Sequence, residues 1–281
     1  MNSSFSGPWP APAKLNLMLR VVGRRADGYH ELQTVFQFID RCDQLHFRLR
    51  DDGRVCRLGR LEAVAPEQDL TVRAAALLQR HSGCGRGVDI RIDKRLPMGG
   101  GLGGGSSDAA TTLVALNRLW RLGLGEEALA ELGLSLGADV PVFVRGRAAW
   151  GEGVGERLTP LELARPWYLV LTPDCHVATA EVFAAKELKR DSSPIAVADF
   201  LAGSALNDCL PVVRRRYAPV AEALDWLDRY AAARLTGTGA CVFAAFEGEA
   251  EARRVRERAP AHYRAFVARG LNRSPLLERA A

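Results

Sequence analysis

Hydrophobic and polar residues alternate with a period of two near the start of the chain. In residues 14–22, leucine or valine occupies every second position, whereas Lys14 and Asn16 lie side by side on the opposite face. Such alternation predicts a strand with one buried face. The turn signal at Asp27 and Gly28 predicts that the chain then reverses. The segment 32–39 is expected to form the returning strand.

The same period, together with the helical period of 3.6 residues, predicts the remaining elements. Further strands are expected within 43–58, at 87–93, at 167–173, at 241–246 and at 265–271. Helices are expected near 70–80, 106–120, 126–136, 180–188, 195–201, 219–232 and 249–258. Residues 1–14 are expected to be a short disordered lead-in. The alternation in residues 87–93 favours an antiparallel or mixed sheet over a buried parallel one.

A run of glycines interrupts this pattern. Six of the seven residues from 99 to 105 are glycine, and Leu102 is the exception. Each glycine in regular structure costs about 0.5–1 kcal/mol of chain entropy relative to alanine, so a simple connection is a poor explanation. The helical period begins directly afterwards at residues 106–108 (SSD), which are typical of helix N-termini.

Bare backbone amides followed by a helix N-terminus are suited to binding a polyphosphate. Three other uses of the loop are less favoured. A dinucleotide-binding loop would directly follow an almost wholly apolar strand, but an alternating strand and residues 94–97 precede these glycines. A P-loop needs a lysine before the serine, and here Gly105 is followed at once by Ser106. A flexible hinge does not need the helix-starting residues.

The composition is that of a globular chain with a basic balance. The chain has 281 residues, of which 48% are hydrophobic and 25% charged, and its formal net charge is +5. This charge suits an anionic partner, either nucleic acid or a phosphorylated small molecule. The basic run at residues 214–216 is more typical of a solvated helix face, so no nucleic-acid partner is expected.

The sequence carries no clear targeting or metal-binding signal. No apolar run approaches the roughly 20 residues that a membrane helix needs, and the start of the chain lacks a signal-peptide pattern. The six cysteines and five histidines do not have the spacing of a structural zinc site or a disulfide framework. We therefore expect a cytoplasmic protein with reduced thiols and no membrane partner.

Three segments together resemble the motifs of the GHMP kinases, in the order that this family has them. They are PAKLNL at 12–17, PMGGGLGGGSSDAA at 97–110 and LTGTGA at 235–240. The segments ADGYHELQT at 26–34 and LGADVPVF at 136–143 are similar to one group within that family. Members of this group phosphorylate the 2-hydroxyl of a cytidyl-capped sugar alcohol in non-mevalonate isoprenoid biosynthesis. The resemblance extends from residue 12 to about residue 275.

This resemblance implies an α+β fold with mixed or antiparallel sheets, two domains and an active site in the cleft between them. It also implies ATP as co-substrate, Mg²⁺ as the accompanying ion and a cytidine-diphospho sugar alcohol as substrate. Residues 1–155 are expected to form the N-terminal domain and residues 156–281 the C-terminal domain. The glycine-rich, charged segment 145–157 is the expected passage between them.

The resemblance assigns the phosphate-transfer roles as follows. Asp139 corresponds to the base, and Lys14 to a partner that orients the substrate hydroxyl and offsets charge on the transferred group. The ATP-binding positions correspond to Lys94, Pro97, Met98, Gly99, Gly100, Gly101, Leu102, Gly103, Gly104, Gly105, Ser106 and Ser107. A second wall for the phosphates corresponds to Gly237, Thr238 and Gly239.

Substrate contacts are implied in the same way. They correspond to Asn16, Tyr29, His30, Thr179 and Phe183. Tyr29 is expected to stack on cytosine, and His30 is expected to form a hydrogen bond with the edge of that base. Asp69 departs from the family, which usually has asparagine beside the adenine; a carboxylate cannot donate a hydrogen bond as an amide can.

Other interpretations stay open at this point. Lys14 and Asp139 could form a structural ion pair, the pair at 29–30 could pack within its turn, and residues 237–239 could serve only a tight turn. A homoserine or mevalonate kinase would share the loops but lack the aromatic–histidine pair. A non-catalytic nucleotide-binding regulator would be a different class, and loss of the acid or base is typical of such proteins.

Overall fold

The structure is a computed structural model that describes residues 4–59 and 64–280. The strands in these residues are β1 (Ser6–Arg24), β2 (His30–Arg50), β3 (Val55–Leu58), β4 (Gly87–Asp93), β5 (Ala149–Gly153), β6 (Arg157–Pro160), β7 (Trp167–Thr172), β8 (Arg234–Leu235), β9 (Val242–Phe246) and β10 (Arg264–Leu271). The helices are α1 (Leu70–Ser82), α2 (Gly104–Leu119), α3 (Glu126–Leu134), α4 (Val140–Arg145), α5 (Thr179–Ala184), α6 (Val197–Leu201), α7 (Leu210–Arg216), α8 (Ala218–Leu227), α9 (Glu249–Glu257) and α10 (Pro275–Ala280).

Strand β2 is the centre of the sheet. It pairs antiparallel with β1, β4, β5 and β10. The main strand order is β3-β4-β2-β10-β7-β9-β8, and β6 extends the sheet from β5. Among the strands of the described residues, only β3 and β4 pair in parallel. The mixed, largely antiparallel sheet predicted from the alternating pattern is therefore confirmed, as is the α+β class.

Both faces of β1 are buried, so the prediction of a single buried face is wrong. Leu15 on one face is 0% exposed, and its neighbours Lys14 and Asn16 on the other face are 3% and 4% exposed. The polar face is covered because the glycine loop and the segment before β9 lie against it. The backbone amide of Lys14 donates to the carbonyl of Leu102, and that of Asn16 donates to the hydroxyl of Thr236. This cover places two buried polar side chains beside the glycine loop.

The expected disordered lead-in is also wrong for most of its length. Strand β1 begins at Ser6 and pairs with β2 as far as Phe47, and Trp9 is packed in the apolar core with only 2% exposure. The prolines in this segment interrupt the alternating pattern, so the pattern did not indicate a strand here. The part of the prediction that concerns residues 1–3 lies outside the described residues.

The segment 145–157 is not a simple passage. Residues 149–153 form β5, which pairs with β2 on one side and with β6 on the other. Its glycines are close-packed, since a Cβ at Gly151 would lie 2.9 Å from the Phe36 ring. The division into domains after residue 155 stays a proposal.

Helix α2 begins two residues earlier than expected, at Gly104. Gly103 is its N-cap residue with a φ of 72°, and no side chain caps the helix. The serines that were expected to start the helix therefore lie within its first turn. Behind them the helix is apolar and buried, with Ala109, Leu113 and Leu116 in the core. The glycine loop is thus fixed to the end of a buried helix.

The other predicted elements are found near their expected positions. Helix α8 ends at Leu227, ahead of the expected residue 232, and Asp228 accepts a hydrogen bond from the Ala233 amide just beyond it. The short helix α10 was not predicted; Leu276 anchors it in the core with 1% exposure. Within the described residues, no helix combines the length and the apolar character that crossing a membrane requires.

Candidate active site

A cavity of about 470 Å³ lies between the glycine loop (residues 99–105), the start of α1 and the segment before α5. Every residue of the glycine loop lines it, as do Pro97, Met98, Ser106, Asp139 and Thr179. Ser107 does not; it is fully buried behind the loop, and its hydroxyl has no hydrogen-bond partner among the described residues. Ser106 is therefore the serine whose side chain can reach a bound group.

Close packing against protein explains several of the glycines. A Cβ at Gly100 would lie 2.5 Å from the Cys241 sulfur, and one at Gly101 would lie 2.2 Å from the Thr236 carbonyl oxygen. A Cβ at Gly103 would lie 2.7 Å from the Phe143 ring. A Cβ at Gly105 would meet nothing nearer than 3.5 Å. The run of glycines therefore lets the loop pack against its neighbours as well as leaving amides bare toward the cavity.

Lys14 and Asp139 meet at the back of the cavity. The Lys14 Nζ lies 3.2 Å from Oδ2 of Asp139, and it donates to Oδ1 of Asn16 at 2.5 Å and to the Gly101 carbonyl at 3.0 Å. An ammonium has three N–H groups, so these three acceptors hold it in one orientation. The Lys14 side chain is 3% exposed, whereas that of Asp139 is 34% exposed. The carboxylate is thus open to the cavity, and the ammonium behind it is held in place.

Asn16 connects this pair to two neighbouring segments. Its Nδ2 donates to the Thr34 hydroxyl at 2.9 Å, and Thr34 donates to the Met18 carbonyl at 2.6 Å. Its backbone amide donates to the hydroxyl of Thr236 at 3.1 Å. With its amide oxygen on Lys14, Asn16 is buried at 4% exposure and acts as a support for the ammonium.

The segment 236–241 forms the other side of the glycine loop. The Cys241 amide donates to the Gly100 carbonyl at 3.1 Å, and the Thr236 hydroxyl donates to the Gly101 carbonyl at 3.1 Å. The Thr238 and Thr179 hydroxyls lie 2.9 Å apart. Of the predicted second wall at residues 237–239, Gly239 lines the cavity. The structure therefore brings the sequence motifs at 12–17, 97–110 and 235–240 together.

Lys94 lines the cavity, but its ammonium is bound to two buried carboxylates. Its Nζ lies 2.6 Å from Oδ2 of Asp43 and 2.6 Å from Oδ2 of Asp108. Burial lowers the pKa of Lys94, but the two carboxylates outweigh burial and the net pKa is raised. Burial also raises the pKa of Asp108, although the ammonium of Lys94 lowers it in part. Sequence reasoning missed both contacts: Asp43 lies 51 residues from Lys94 along the chain, and Asp108 was expected only to start the following helix.

We expect Lys94→Met to lower the free energy of unfolding by about 3–5 kcal/mol, because it leaves two buried carboxylates without a cation. Asp108→Asn is the matched contrast. It replaces the carboxyl whose raised pKa already disfavours its charge and leaves Asp43 paired with Lys94, so it is expected to change the free energy of unfolding much less. Urea denaturation of both variants measures the difference. Equal losses would contradict the description of this cluster as one cation between two carboxylates.

Asp69 is buried in the wall of the cavity and is fully paired. Its Oδ1 accepts from the backbone amide of Thr71 at 2.8 Å and from the Thr71 hydroxyl at 2.7 Å, which caps α1. Its Oδ2 accepts from Nη1 of Arg57 at 2.9 Å. This carboxylate therefore serves the start of α1. His176, also on the cavity wall, was not predicted; a Cβ at Gly99 would lie 3.1 Å from its Nδ1.

The residues expected to contact a base lie outside the cavity lining. Tyr29 is 63% exposed at the turn between β1 and β2. The His30 ring stacks on the Phe183 ring of α5 with centroids 5.1 Å apart and an interplanar angle of 26°. Thr179, at the start of α5, lines the cavity. Helix α5 thus contacts both the cavity and the His30 side of the molecule.

Comparison with known proteins supports one family for the whole chain. Residues 69–147 match the GHMP kinases N terminal domain, and residues 184–265 match the GHMP kinases C terminal domain. The 4-diphosphocytidyl-2-C-methyl-D-erythritol kinase of Alkalilimnicola ehrlichii is 62% identical over 276 residues, covering 98% of this chain and 95% of the relative. The chain belongs to the GHMP kinase family. It is an ATP-dependent small-molecule kinase.

Further comparisons support the same family for this GHMP kinase. The 4-diphosphocytidyl-2-C-methyl-D-erythritol kinase of Halorhodospira halophila is 61% identical, covering 95% of this chain and 94% of the relative. A crystal structure of 4-(cytidine 5'-diphospho)-2C-methyl-D-erythritol kinase matches with a TM-score of 0.82 at 34% identity, covering 95% of this chain and 99% of that one. A mevalonate kinase structure matches with a TM-score of 0.71 at 17% identity, covering 95% of this chain and 100% of that one. The last similarity concerns the fold alone.

Proposed function

We propose that this kinase transfers the γ-phosphoryl group of ATP to the 2-hydroxyl of 4-diphosphocytidyl-2-C-methyl-D-erythritol. The observation that carries this proposal is the Lys14–Asp139 contact at 3.2 Å, directed into a cavity lined by the glycine loop. The relatives at 62% and 61% identity, which carry that enzyme's name, support the choice of substrate. The proposed site is the cleft between the two proposed domains.

Asp139 is the proposed base for the substrate hydroxyl. Its carboxylate is the more exposed partner of the ion pair, so an incoming hydroxyl can reach it. Asp139 accepts the hydroxyl proton, and the attacking oxygen forms its bond to phosphorus as the bond to the leaving ADP oxygen breaks. Lys14 holds the carboxylate in position and offsets negative charge on the transferred group. In phosphoryl transfer, positioning and charge neutralisation of this kind supply most of the catalysis.

The glycine loop is the proposed binding site for the triphosphate. Gly104, Gly105 and Ser106 at the start of α2 line the cavity, and the first amides of a helix have no partner within it. The 16-residue helix adds its positive N-terminal end. Ser106 provides a hydroxyl at the same place. Lys94 is also a proposed nucleotide contact, because a Cβ at Gly104 would lie 3.3 Å from its Nζ, although its charge is balanced by Asp43 and Asp108.

Mg²⁺ is proposed to accompany ATP. Among the described residues, no group of three histidine, cysteine or acidic side chains is arranged to hold a metal ion. The Ser106 hydroxyl nevertheless supplies an oxygen donor at the cavity, and Asp139 remains the proposed base. Mg²⁺ prefers oxygen ligands and usually keeps water and substrate phosphates with only one or two protein groups, so this donor set fits it. When bound, the ion neutralises charge on the phosphates.

The cytidine is proposed to bind beyond the cavity, between the 29–30 turn and α5. Tyr29 is free to stack on the base, and His30 and Phe183 lie together at 5.1 Å between ring centroids. Thr179 at the other end of α5 and Asn16 beside Lys14 would contact the sugar alcohol and diphosphate portions.

We expect Tyr29→Ala to raise KM for the cytidyl substrate about tenfold, because stacking on a base is worth roughly 1–3 kcal/mol. Tyr29 is 63% exposed, so the free energy of unfolding should stay within about 0.5 kcal/mol of wild type. Steady-state kinetics with varied cytidyl substrate measure the effect, and KM for ATP serves as the internal control. Tyr29→Phe keeps the ring and should behave like wild type. An unaltered KM in Tyr29→Ala would rule out stacking.

Release of ADP with three substrates tests the proposed function directly. We expect turnover with 4-diphosphocytidyl-2-C-methyl-D-erythritol and little or none with homoserine or mevalonate. A preference for either of the latter would indicate another GHMP kinase activity. Inactivity with all three, together with measurable ATP binding, would indicate a nucleotide-binding regulator.

A further inference from the structure

Arg190 connects the segment after α5 to the beginning of β2. Its Nε donates to Nε2 of His30 at 3.1 Å. Its Nη1 donates to the Leu188 carbonyl at 3.1 Å, and its Nη2 donates to the carbonyls of Phe183 and Ala185 at 2.8 and 2.7 Å. The three carbonyl contacts fix the guanidinium, so its direction toward His30 is built into the fold.

This contact determines which nitrogen of His30 carries hydrogen. A guanidinium can only donate, so Nε2 must be an acceptor without a hydrogen. A neutral imidazole then carries its hydrogen on Nδ1. Within the described residues, Nδ1 has no protein hydrogen-bond partner, so its N–H is available to a ligand.

The surroundings also keep the ring neutral. Burial lowers the pKa of His30, and the positive charges of Arg190 and then of Arg24, on the paired strand β1, lower it further. The ring is thus a neutral hydrogen-bond donor at pH 7.

We propose that Arg190 is a positioning residue that holds His30 as its Nδ1–H tautomer beside Phe183 and thereby selects a base whose edge presents a hydrogen-bond acceptor. This proposal rests on the proposed function, in which His30 contacts the edge of the cytosine. Cytosine presents an acceptor at N3, where uracil presents an N–H donor. A uracil N3–H facing the His30 Nδ1–H would leave two donors unpaired, and such a mismatch lowers affinity about tenfold or more.

Nitrogen-15 NMR of the histidine rings in the unliganded wild-type enzyme tests the tautomer without any substrate, with His30→Asn used to assign the signal. We expect His30 to be neutral at pH 7 with its hydrogen on Nδ1. Hydrogen on Nε2, or a positively charged ring at pH 7, would overturn the proposal. Because no substrate is needed, this measurement is independent of the proposed function.

Arg190→Met tests the consequence for the base. In this variant we expect the pKa of His30 to rise and KM for the cytidyl substrate to rise about tenfold. We expect the ratio of kcat/KM for the cytidyl substrate to kcat/KM for its uridyl analogue to fall about tenfold. KM for ATP should stay unchanged. Arg190→Lys keeps a charged donor and should restore much of the preference. Arg216→Met is the matched control, because Arg216 pairs with exposed Glu187 in the same segment, and it should leave all of these values unchanged.

The outcomes separate the two proposals. An unchanged preference in Arg190→Met would overturn the positioning role. If that variant does not fold, the wild-type tautomer and the Arg190→Lys kinetics decide in its place. A wild-type enzyme that shows the Nδ1–H tautomer yet does not phosphorylate the cytidyl substrate would overturn the proposed function, and with it the selection of the base.

Discussion

Asp139→Asn is expected to reduce kcat by about a thousandfold, because a positioned general base contributes roughly 10²–10⁴ to the rate. The change keeps the shape of the side chain but removes its capacity to accept the substrate proton. ATP affinity should stay within about threefold of wild type, since the triphosphate is proposed to be held by backbone amides of the glycine loop. Coupled ADP-release kinetics and calorimetric titration with a non-hydrolysable ATP analogue measure the two quantities.

Two comparisons make this result specific to Asp139. Asp174→Asn removes an exposed carboxylate two residues before His176, which lines the cavity, and it should leave kcat unchanged. Lys14→Met should also lower kcat strongly, and the double variant should lose little more than either single variant, because the paired groups act as one unit. Fully multiplicative losses would show that the two groups contribute to the rate independently rather than as a unit. An active Asp139→Asn would return the pair to the structural role that the sequence left open.

Local sequence patterns predicted the strands and helices that carry the site, but they could not predict which distant segments pack against them. Alternation correctly placed β1 and the neighbouring positions of Lys14 and Asn16. It could not show that the segment 235–240 would lie against their face and bury it, since that segment is more than 200 residues away. The polar residues on this face of β1 indicated contact with solvent, but in the fold the face is buried and forms part of the site.

Single side chains with distant partners were missed for the same reason. Asp43 and Arg190 carry no motif in their own segments, and each acquires a role only through a contact that the fold creates. The partners are Lys94, at a separation of 51 residues, and His30, at a separation of 160. Motifs identify groups that are close in sequence, whereas these supports are defined by tertiary packing.

The glycine loop illustrates the limit most clearly. The sequence showed six glycines and suggested one cause, the approach of a phosphate. The structure adds a second cause, because Gly100, Gly101 and Gly103 are each pressed against protein atoms. Gly101 is the junction: its carbonyl accepts from Lys14 and Thr236, and a Cβ there would lie 2.2 Å from the Thr236 carbonyl oxygen.

Gly101→Ala is therefore expected to be among the most damaging small changes in the chain. Its φ of +76° disfavours a side chain and the Cβ clashes with backbone, so the free energy of unfolding should fall by about 2–5 kcal/mol. Displacement of the loop by even about 1 Å should cost at least about 100-fold in kcat/KM.

Gly123→Ala is the control, since Gly123 has a φ of +71° but a Cβ added there would meet no atom within 4 Å. It introduces the backbone strain alone, should cost about 1 kcal/mol and should leave activity intact. Thermal denaturation and steady-state kinetics compare the two variants. If they lose stability and activity equally, backbone conformation alone requires the glycine, and the contact between the loop and Thr236 is not what holds the ATP site together.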